Sequence, residues 1–89
     1  MRVHVIISGR VQGVFFRSET KNYADSLGIV GWVKNRSDGK VEAVFEGPEE
    51  LVLAMLDWCK QGPRGAEVSK VSDVPEVSKE KFEGFEIRY

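Results

Sequence analysis

The spacing of apolar residues in this chain switches repeatedly between period two and period 3.6, and this limits the fold more than any other feature. Alternating segments of the kind typical of strands cover 3–8, 29–35, 40–46, 66–74 and 85–89. Apolar residues recur at helical spacing over 16–27 and again from Val52 to Cys59. The pattern predicts the order βαββαβ, with a short last strand appended.

Residues at the ends of these segments agree with that division. Gly28 can adopt the positive φ that ends a helix, and Asp38-Gly39 is a strong turn signal between two strands that should form an antiparallel hairpin. Pro48 suits the start of the second helix, and Gly62 its end. Helices and strands in this order predict an α+β sandwich, an antiparallel sheet with two helices packed on one face.

Size and charge limit the class of protein. The chain has 89 residues, 42% of them hydrophobic and 30% charged, which fits a single compact domain over 1–89. The formal charge is −1, from 13 Lys and Arg against 14 Asp and Glu, with no run of like charge. Nucleic acids and membrane surfaces are bound through clustered cations, so we expect neither partner.

The same composition predicts a cytoplasmic protein. No stretch approaches the roughly 18 apolar residues of a membrane span, and the start leads straight into a strand pattern without a secretory segment. Cys59 is the one cysteine of the sequence, so it cannot form an intramolecular disulfide, and a reducing compartment is expected.

The segment 8–17 joins the first strand to the first helix and is the strongest candidate for a binding site. Gly9 and Gly13 let the backbone bend and approach a ligand closely. A loop that enters a helix N-terminus can direct successive N–H groups and the helix dipole at an anion. Arg17 could add a planar, permanently charged fork. Such a loop also occurs as a simple turn with a solvated arginine, so the loop alone leaves both interpretations open.

Two known phosphate-loop chemistries do not fit. A nucleotide-binding P-loop needs Gly-Lys followed by Ser or Thr, where this chain has Phe15-Phe16-Arg17. A cysteine-dependent phosphatase needs a cysteine leading the loop, whereas Cys59 lies in the apolar stripe of a helix and is expected to be a small buried residue. Both phenylalanines are expected to pack in the core at the helix entry.

Residues 9–17, Gly-Arg-Val-Gln-Gly-Val-Phe-Phe-Arg, resemble the phosphate-binding loop of acylphosphatases, and 31–35, Gly-Trp-Val-Lys-Asn, resemble that family's second signature. The resemblance extends over essentially the whole chain, with no departure in either motif. It implies the ferredoxin-like βαββαβ sandwich, in agreement with the hydrophobic pattern. It also implies a hydrolase that converts acyl phosphates to carboxylate and inorganic phosphate by in-line attack of water, with no metal and no cofactor.

The resemblance further implies roles for individual residues. Arg17 matches the phosphate-binding arginine, and Asn35 matches the asparagine that positions the attacking water. Backbone amides of Gln12, Gly13 and Val14 would complete the phosphate-binding loop. Without the resemblance, Asn35 would be interpreted as a turn residue. The implied partners are an acyl phosphate substrate and inorganic phosphate, as product and competitive ligand, and we expect a monomer.

Two other functions remain possible at this point. One is a module that binds phosphate or handles carbamoyl phosphate, like the acylphosphatase-like domains inside larger maturation proteins, although a chain of 89 residues favours a free enzyme. The other is an RNA-binding module, because RNA-recognition domains share the βαββαβ order and display aromatics on the third strand. That strand offers Phe45, on the same face as Val41 and Ala43. No role is assigned to the polar segment 75–84.

Overall fold

A computed structural model describes residues 1–75 and 79–89, and the described residues form two helices and five strands. The elements are β1 (Arg2–Arg10), α1 (Phe16–Leu27), β2 (Val30–Asn35), β3 (Val41–Glu46), α2 (Glu49–Gln61), β4 (Glu67–Val74) and β5 (Phe85–Arg88). The predicted element order is confirmed. Residues 76–78 of the polar segment 75–84 lie outside the described residues. Within the described part of the chain, no helix is long and apolar enough to cross a membrane.

The five strands form one sheet in the order β4-β1-β3-β2-β5. The β4–β1, β1–β3 and β3–β2 pairs are antiparallel, as predicted, whereas β5 pairs with β2 in parallel. The prediction of a wholly antiparallel sheet is therefore wrong at its last strand. β4 and β5 lie at opposite edges of the sheet and do not form a hairpin with each other, so the direction of β5 does not follow from that of β4. The ferredoxin-like α+β class is confirmed.

The hydrophobic core lies between one face of the sheet and the two helices. Alternate residues of the strands point to this face, and the register places Val5 of β1 opposite Ala43 of β3. The fully buried residues of the core include Val5, Ile7, Val33, Val41, Ala43 and Phe45 from strands, with Ala24, Val52, Met55 and Cys59 from helices. Because Phe45 is buried and stacks on Phe85, the third strand does not display the aromatic that the RNA-binding alternative requires.

The opposite face of the sheet carries a polar cluster centred on Glu42 of β3. The Glu42 carboxylate accepts from or pairs with His4 Nε2 at 2.5 Å, Arg36 Nη1 at 3.3 Å and Lys34 Nζ at 3.9 Å. Lys34 and Arg36 flank Asn35 in the sequence. Glu42 therefore anchors the end of β2 from this opposite face, while Asn35 itself, one residue out of phase, belongs to the helix-bearing face.

Candidate active site

The loop between β1 and α1 needs glycine at both of the positions singled out above. Gly9 has φ 122° and follows a register shift between β1 and β4, and a Cβ there would overlap the Glu67 carbonyl oxygen. Gly13 has φ 75° with open space around it, so glycine is needed there for its backbone conformation and not for lack of space. Between them, Val11 is buried in the core and holds the loop against the sheet.

The loop presents a series of backbone donors. Among the described residues, the backbone hydrogen bonds outside helices and strands include none donated by the amides of 12–17. The start of α1 also lacks a side-chain cap. The first N–H groups of a helix have no acceptor within it, and the helix dipole makes that end favourable for negative charge. The predicted anion-binding loop thus has donors to offer.

Arg17 lies in the first turn of α1 and is half-buried. Its guanidinium carbon is 5.0 Å from the centre of the Tyr89 ring. Across 1–75 and 79–89, no carboxylate forms an ion pair with it, which distinguishes it from Arg2, Arg36 and Arg88. Because no internal carboxylate neutralises its positive charge, the Arg17 guanidinium can attract an external anion.

A pocket of about 330 Å³ lies against this loop and reaches the end of β2. Its lining residues are Val11, Gly13, Phe15, Phe16, Arg17, Ser18, Asn35, Ile87 and Tyr89. The structure therefore brings Arg17 and Asn35 together in one pocket, although 18 positions separate them in the sequence. Arg17 is the one charged side chain among these lining residues, and its charge is positive.

The Asn35 side chain is not needed for the hairpin turn that follows it. The turn is closed by Arg36 N–H donating to the Lys40 carbonyl oxygen at 2.8 Å and by Lys40 N–H donating to Asp38 Oδ1 at 3.2 Å. Within the described residues, the Asn35 amide makes no side-chain hydrogen bond. Both its carbonyl and its NH₂ group are available at the pocket wall.

Gln12 and Val14 do not line the pocket with their side chains. Gln12 Nε2 donates to the carbonyl oxygens of Arg36, at 2.8 Å, and Lys40, at 2.9 Å. The side chain of Gln12 thus ties the loop to the β2–β3 turn, one residue beyond Asn35, which the sequence did not indicate. The Val14 side chain lies in a neighbouring depression with Trp58. Their predicted contribution through backbone amides stays a prediction.

The two adjacent phenylalanines point in opposite directions. Phe16 is 2% exposed and packs edge-on against Trp58 at 5.6 Å, as expected of a core residue. The same prediction is wrong for Phe15, which is 80% exposed and lines the pocket. Phe15 has φ 61° and ψ 24°, and this left-handed turn immediately before α1 directs its side chain away from the core.

Ile87 and Tyr89, at the end of the chain, also line the pocket and were not among the predicted site residues. They reach it because β5 pairs with β2, whose last residue is Asn35. Nothing local in the sequence indicates that pairing. For Phe15 a signal existed, since adjacent side chains at the start of a helix cannot both face one core.

Cysteine chemistry finds no support in the structure. Cys59 is fully buried, as predicted, and burial raises the pKa of its thiol to about 12, so the reactive thiolate is absent at neutral pH. The described residues contain no group of three or more His, Cys, Asp or Glu side chains that could hold a metal ion.

The sequence model of the acylphosphatase family matches residues 3–87 of this chain. The chain belongs to the acylphosphatase family. Its relatives include an acylphosphatase of Pelotomaculum thermopropionicum, 51% identical over 88 residues that make up 99% of this chain and 96% of the relative. As a member of this family, the protein is an enzyme that hydrolyses acyl phosphates to a carboxylate and inorganic phosphate.

Solved structures agree with the fold described above. The crystal structure of acylphosphatase from Bacillus subtilis superposes with a TM-score of 0.91 at 39% identity, covering 99% of this chain and 98% of that one. Full-length HypF in a phosphate- and nucleotide-bound form is similar at a TM-score of 0.87 and 28% identity, covering 99% of this chain but 12% of that one. The same fold thus occurs both as an enzyme of this length and as a small part of a larger protein.

Proposed function

We propose that this acylphosphatase binds the phosphoryl group of its substrate with Arg17 and the amides of Gln12, Gly13 and Val14, and that Asn35 positions the attacking water. The observation that carries the proposal is the pocket in which an arginine without an internal counter-ion faces an asparagine without a side-chain hydrogen bond among the described residues. Both groups are held by secondary structure, Arg17 by α1 and Asn35 by β2.

The chemistry of the substrate explains why these groups are sufficient. An acyl phosphate is a mixed anhydride whose carboxylate leaves readily, so no covalent nucleophile is required. In phosphoryl transfer, charge is spread over the equatorial oxygens while the attacking and leaving oxygens lie in line. A bidentate guanidinium and fixed N–H donors stabilise that charge without reorganising during the reaction.

The role of Asn35 is geometric. Its amide can accept a hydrogen bond from the water or donate one to it, which fixes the water in line with the leaving oxygen. An amide cannot remove a proton. Because no Asp, Glu or His is among the described residues that line the pocket, we propose that a phosphoryl oxygen of the substrate takes the proton of the water. The pH–rate profile of the chemical step should then show no essential enzyme base with a pKa near 6 or 7.

Hydrolysis of benzoyl phosphate, followed by ultraviolet absorbance in the presence of a chelator, tests the proposal. Arg17→Ala should lower kcat/KM by at least about 100-fold, equivalent to about 3 kcal/mol, because charge-assisted bonds in a partly desolvated site are lost. Arg17→Lys should be nearly as inactive, since an ammonium cannot replace the bidentate fork. Arg2→Ala, an arginine outside the pocket that pairs with Glu46, is the control.

Asn35→Ala separates the two halves of the site. It should lower kcat while inhibition by inorganic phosphate changes less than about threefold, because the phosphate-binding groups are intact. Equal loss of phosphate affinity in Asn35→Ala and Arg17→Ala would refute the role of Asn35. Phosphate binding without turnover by the folded native protein would favour the binding-module alternative, and activity abolished by the chelator would refute metal independence.

We further propose that residues 1–89 act as one domain, that the enzyme is a cytoplasmic monomer, and that it binds neither nucleic acid nor membranes. A net charge of −1 without charge clusters supports the absence of polyanionic partners. Light scattering of the eluting peak in size-exclusion chromatography, at assay concentration, would test the monomer, and a dimer mass would refute it.

A further inference from the structure

Phe15 combines two costs that packing does not explain. Its φ of 61° makes it the one non-glycine residue with positive φ in the described part of the chain, and this conformation costs a bulky residue about 1–2 kcal/mol. Its side chain is also 80% exposed, so no burial of the ring compensates. Strained, exposed residues that persist at the edge of a site point to a use in the site.

The backbone of Phe15 is locked in place by the start of α1. Its carbonyl oxygen accepts hydrogen bonds from the Glu19 amide at 3.0 Å and from the Ser18 hydroxyl at 3.1 Å. The buried ring of Phe16 fixes the next residue against Trp58. The backbone of Phe15 is therefore fixed by its neighbours on the chain, and it carries the side chain to the rim of the pocket before any substrate binds.

Tyr89 and Ile87 supply an apolar surface to the same pocket from β5 and the residue that follows it. Tyr89 is 96% exposed, the most exposed of the large apolar side chains described, and its ring stays near the Arg17 guanidinium at 5.0 Å. The pocket thus has a charged part, formed by Arg17 and the loop amides, and an aromatic and aliphatic part with no acidic or basic side chain of its own.

The pocket has more space than a phosphoryl group needs. Measured in the same way as the pocket, one water molecule needs about 10–15 Å³, so the four heavy atoms of a phosphoryl group need roughly 40–60 Å³. The pocket holds about 330 Å³. With the phosphoryl group on the charged part, the substituent that carries the leaving carboxylate has to lie against the remaining surface.

We propose that Phe15, Ile87 and Tyr89 form an acyl-binding wall that makes the enzyme selective for acyl phosphates with aromatic or bulky apolar acyl groups. The inference rests on the proposed placement of the phosphoryl group at Arg17. An aryl ring beside Phe15 and Tyr89 removes apolar surface from water and makes ring contacts. A methyl group, as in acetyl phosphate, reaches too little of the wall to gain either.

The test compares kcat/KM for benzoyl phosphate and for acetyl phosphate in native protein, Phe15→Ala and Ile87→Ala. A lost aromatic contact of about 0.5–1.5 kcal/mol corresponds to a roughly 2- to 13-fold effect. We expect the benzoyl-to-acetyl ratio of kcat/KM to fall about 5- to 10-fold in Phe15→Ala and to fall less in Ile87→Ala. Leu53→Ala, which shortens an exposed apolar residue of α2 outside this pocket, should leave the ratio unchanged.

Inorganic phosphate is the second probe, because it occupies the charged part alone. Its inhibition constant should change far less in Phe15→Ala than the benzoyl-to-acetyl ratio does. An unchanged ratio in both wall variants, or an equal loss for both substrates, would overturn the acyl-binding wall. Activity retained in Arg17→Ala would instead refute the proposed phosphate site, so failure of the two proposals can be told apart.

Discussion

Gln12 offers the most direct test of how the two halves of the site are held together. Its side-chain amide donates to the Arg36 carbonyl oxygen at 2.8 Å and to the Lys40 carbonyl oxygen at 2.9 Å. The first bond is partly buried and the second is exposed. Gln12→Met keeps the length of the side chain and removes both donors, so it removes the link between the phosphate-binding loop and the turn beside Asn35.

The expected cost follows from the fate of the two acceptors. A neutral hydrogen bond contributes about 1 kcal/mol net, and more is lost only when a buried partner is left without any bond. The Arg36 carbonyl oxygen keeps a bond from the Gly39 amide at 3.3 Å, and the Lys40 carbonyl oxygen keeps one from the Arg36 amide at 2.8 Å. Gln12→Met should therefore lower the free energy of unfolding by about 1–2 kcal/mol, with a fall in Tm of roughly 4–16 °C.

Activity should fall beyond what the loss of stability explains. The link sets the distance between Arg17 and Asn35, and errors of about 1 Å in a reacting geometry can cost up to roughly 100-fold in rate. We expect kcat of the folded variant to fall about tenfold, with phosphate inhibition changed much less, because the charged part remains complete.

Urea denaturation followed by tryptophan fluorescence, together with benzoyl phosphate kinetics well below the transition, measures both effects. Gln61→Met is the matched control, because Gln61 is exposed at the end of α2 and makes no side-chain hydrogen bond in the described part of the chain. Stability equal to that of the control would refute the energetic reasoning. Loss of stability with native kcat would refute the role of Gln12 in positioning.

Two further predictions concern the scaffold. Burial raises the pKa of the Cys59 thiol to about 12, whereas an unfolded thiol titrates near about 8.5, so above that pH the unfolded state binds fewer protons and stability falls as pH rises. Between pH 8 and 10 the free energy of unfolding, measured by urea denaturation, should fall by about 2 kcal/mol more in the native protein than in Cys59→Val. An equal fall in the two proteins would contradict this. Gly31 has φ 139°, and a Cβ there would overlap the Val44 carbonyl oxygen. Gly31→Ala should therefore lower the free energy of unfolding by more than about 2 kcal/mol. Gly84→Ala, where a Cβ meets open space, should lower it far less.

Much of the fold was predictable because hydrophobic period reports directly on secondary structure. The α1 prediction matches the structure over Phe16–Leu27, and the Asp38-Gly39 turn lies between β2 and β3 as expected. Period two also placed Val5, Ala43 and Phe45 on one buried face. These assignments depend only on residues close together in the chain, and a single sequence contains that information.

The candidate site was predictable in part. The glycine-bracketed loop and Arg17 follow from local physics, since a strand that turns into a helix N-terminus favours an anion there. Asn35 could not be placed by the same reasoning, because at the end of a strand an asparagine is also a common turn residue. Its assignment came from the resemblance to acylphosphatases, and the structure adds that it shares a pocket with Arg17.

By itself, the sequence determined the order of the elements, the buried face of each and the character of the first loop. Tertiary structure alone decided that β5 runs parallel to β2, which brings Ile87 and Tyr89 to Arg17, and that Phe15 turns outward while Phe16 turns inward. The physical reason is that apolar and polar residues alternate in the same way in parallel and antiparallel strands. Apolar spacing fixes which side of a strand is buried, whereas its neighbour in the sheet is decided by contacts between residues far apart in the chain.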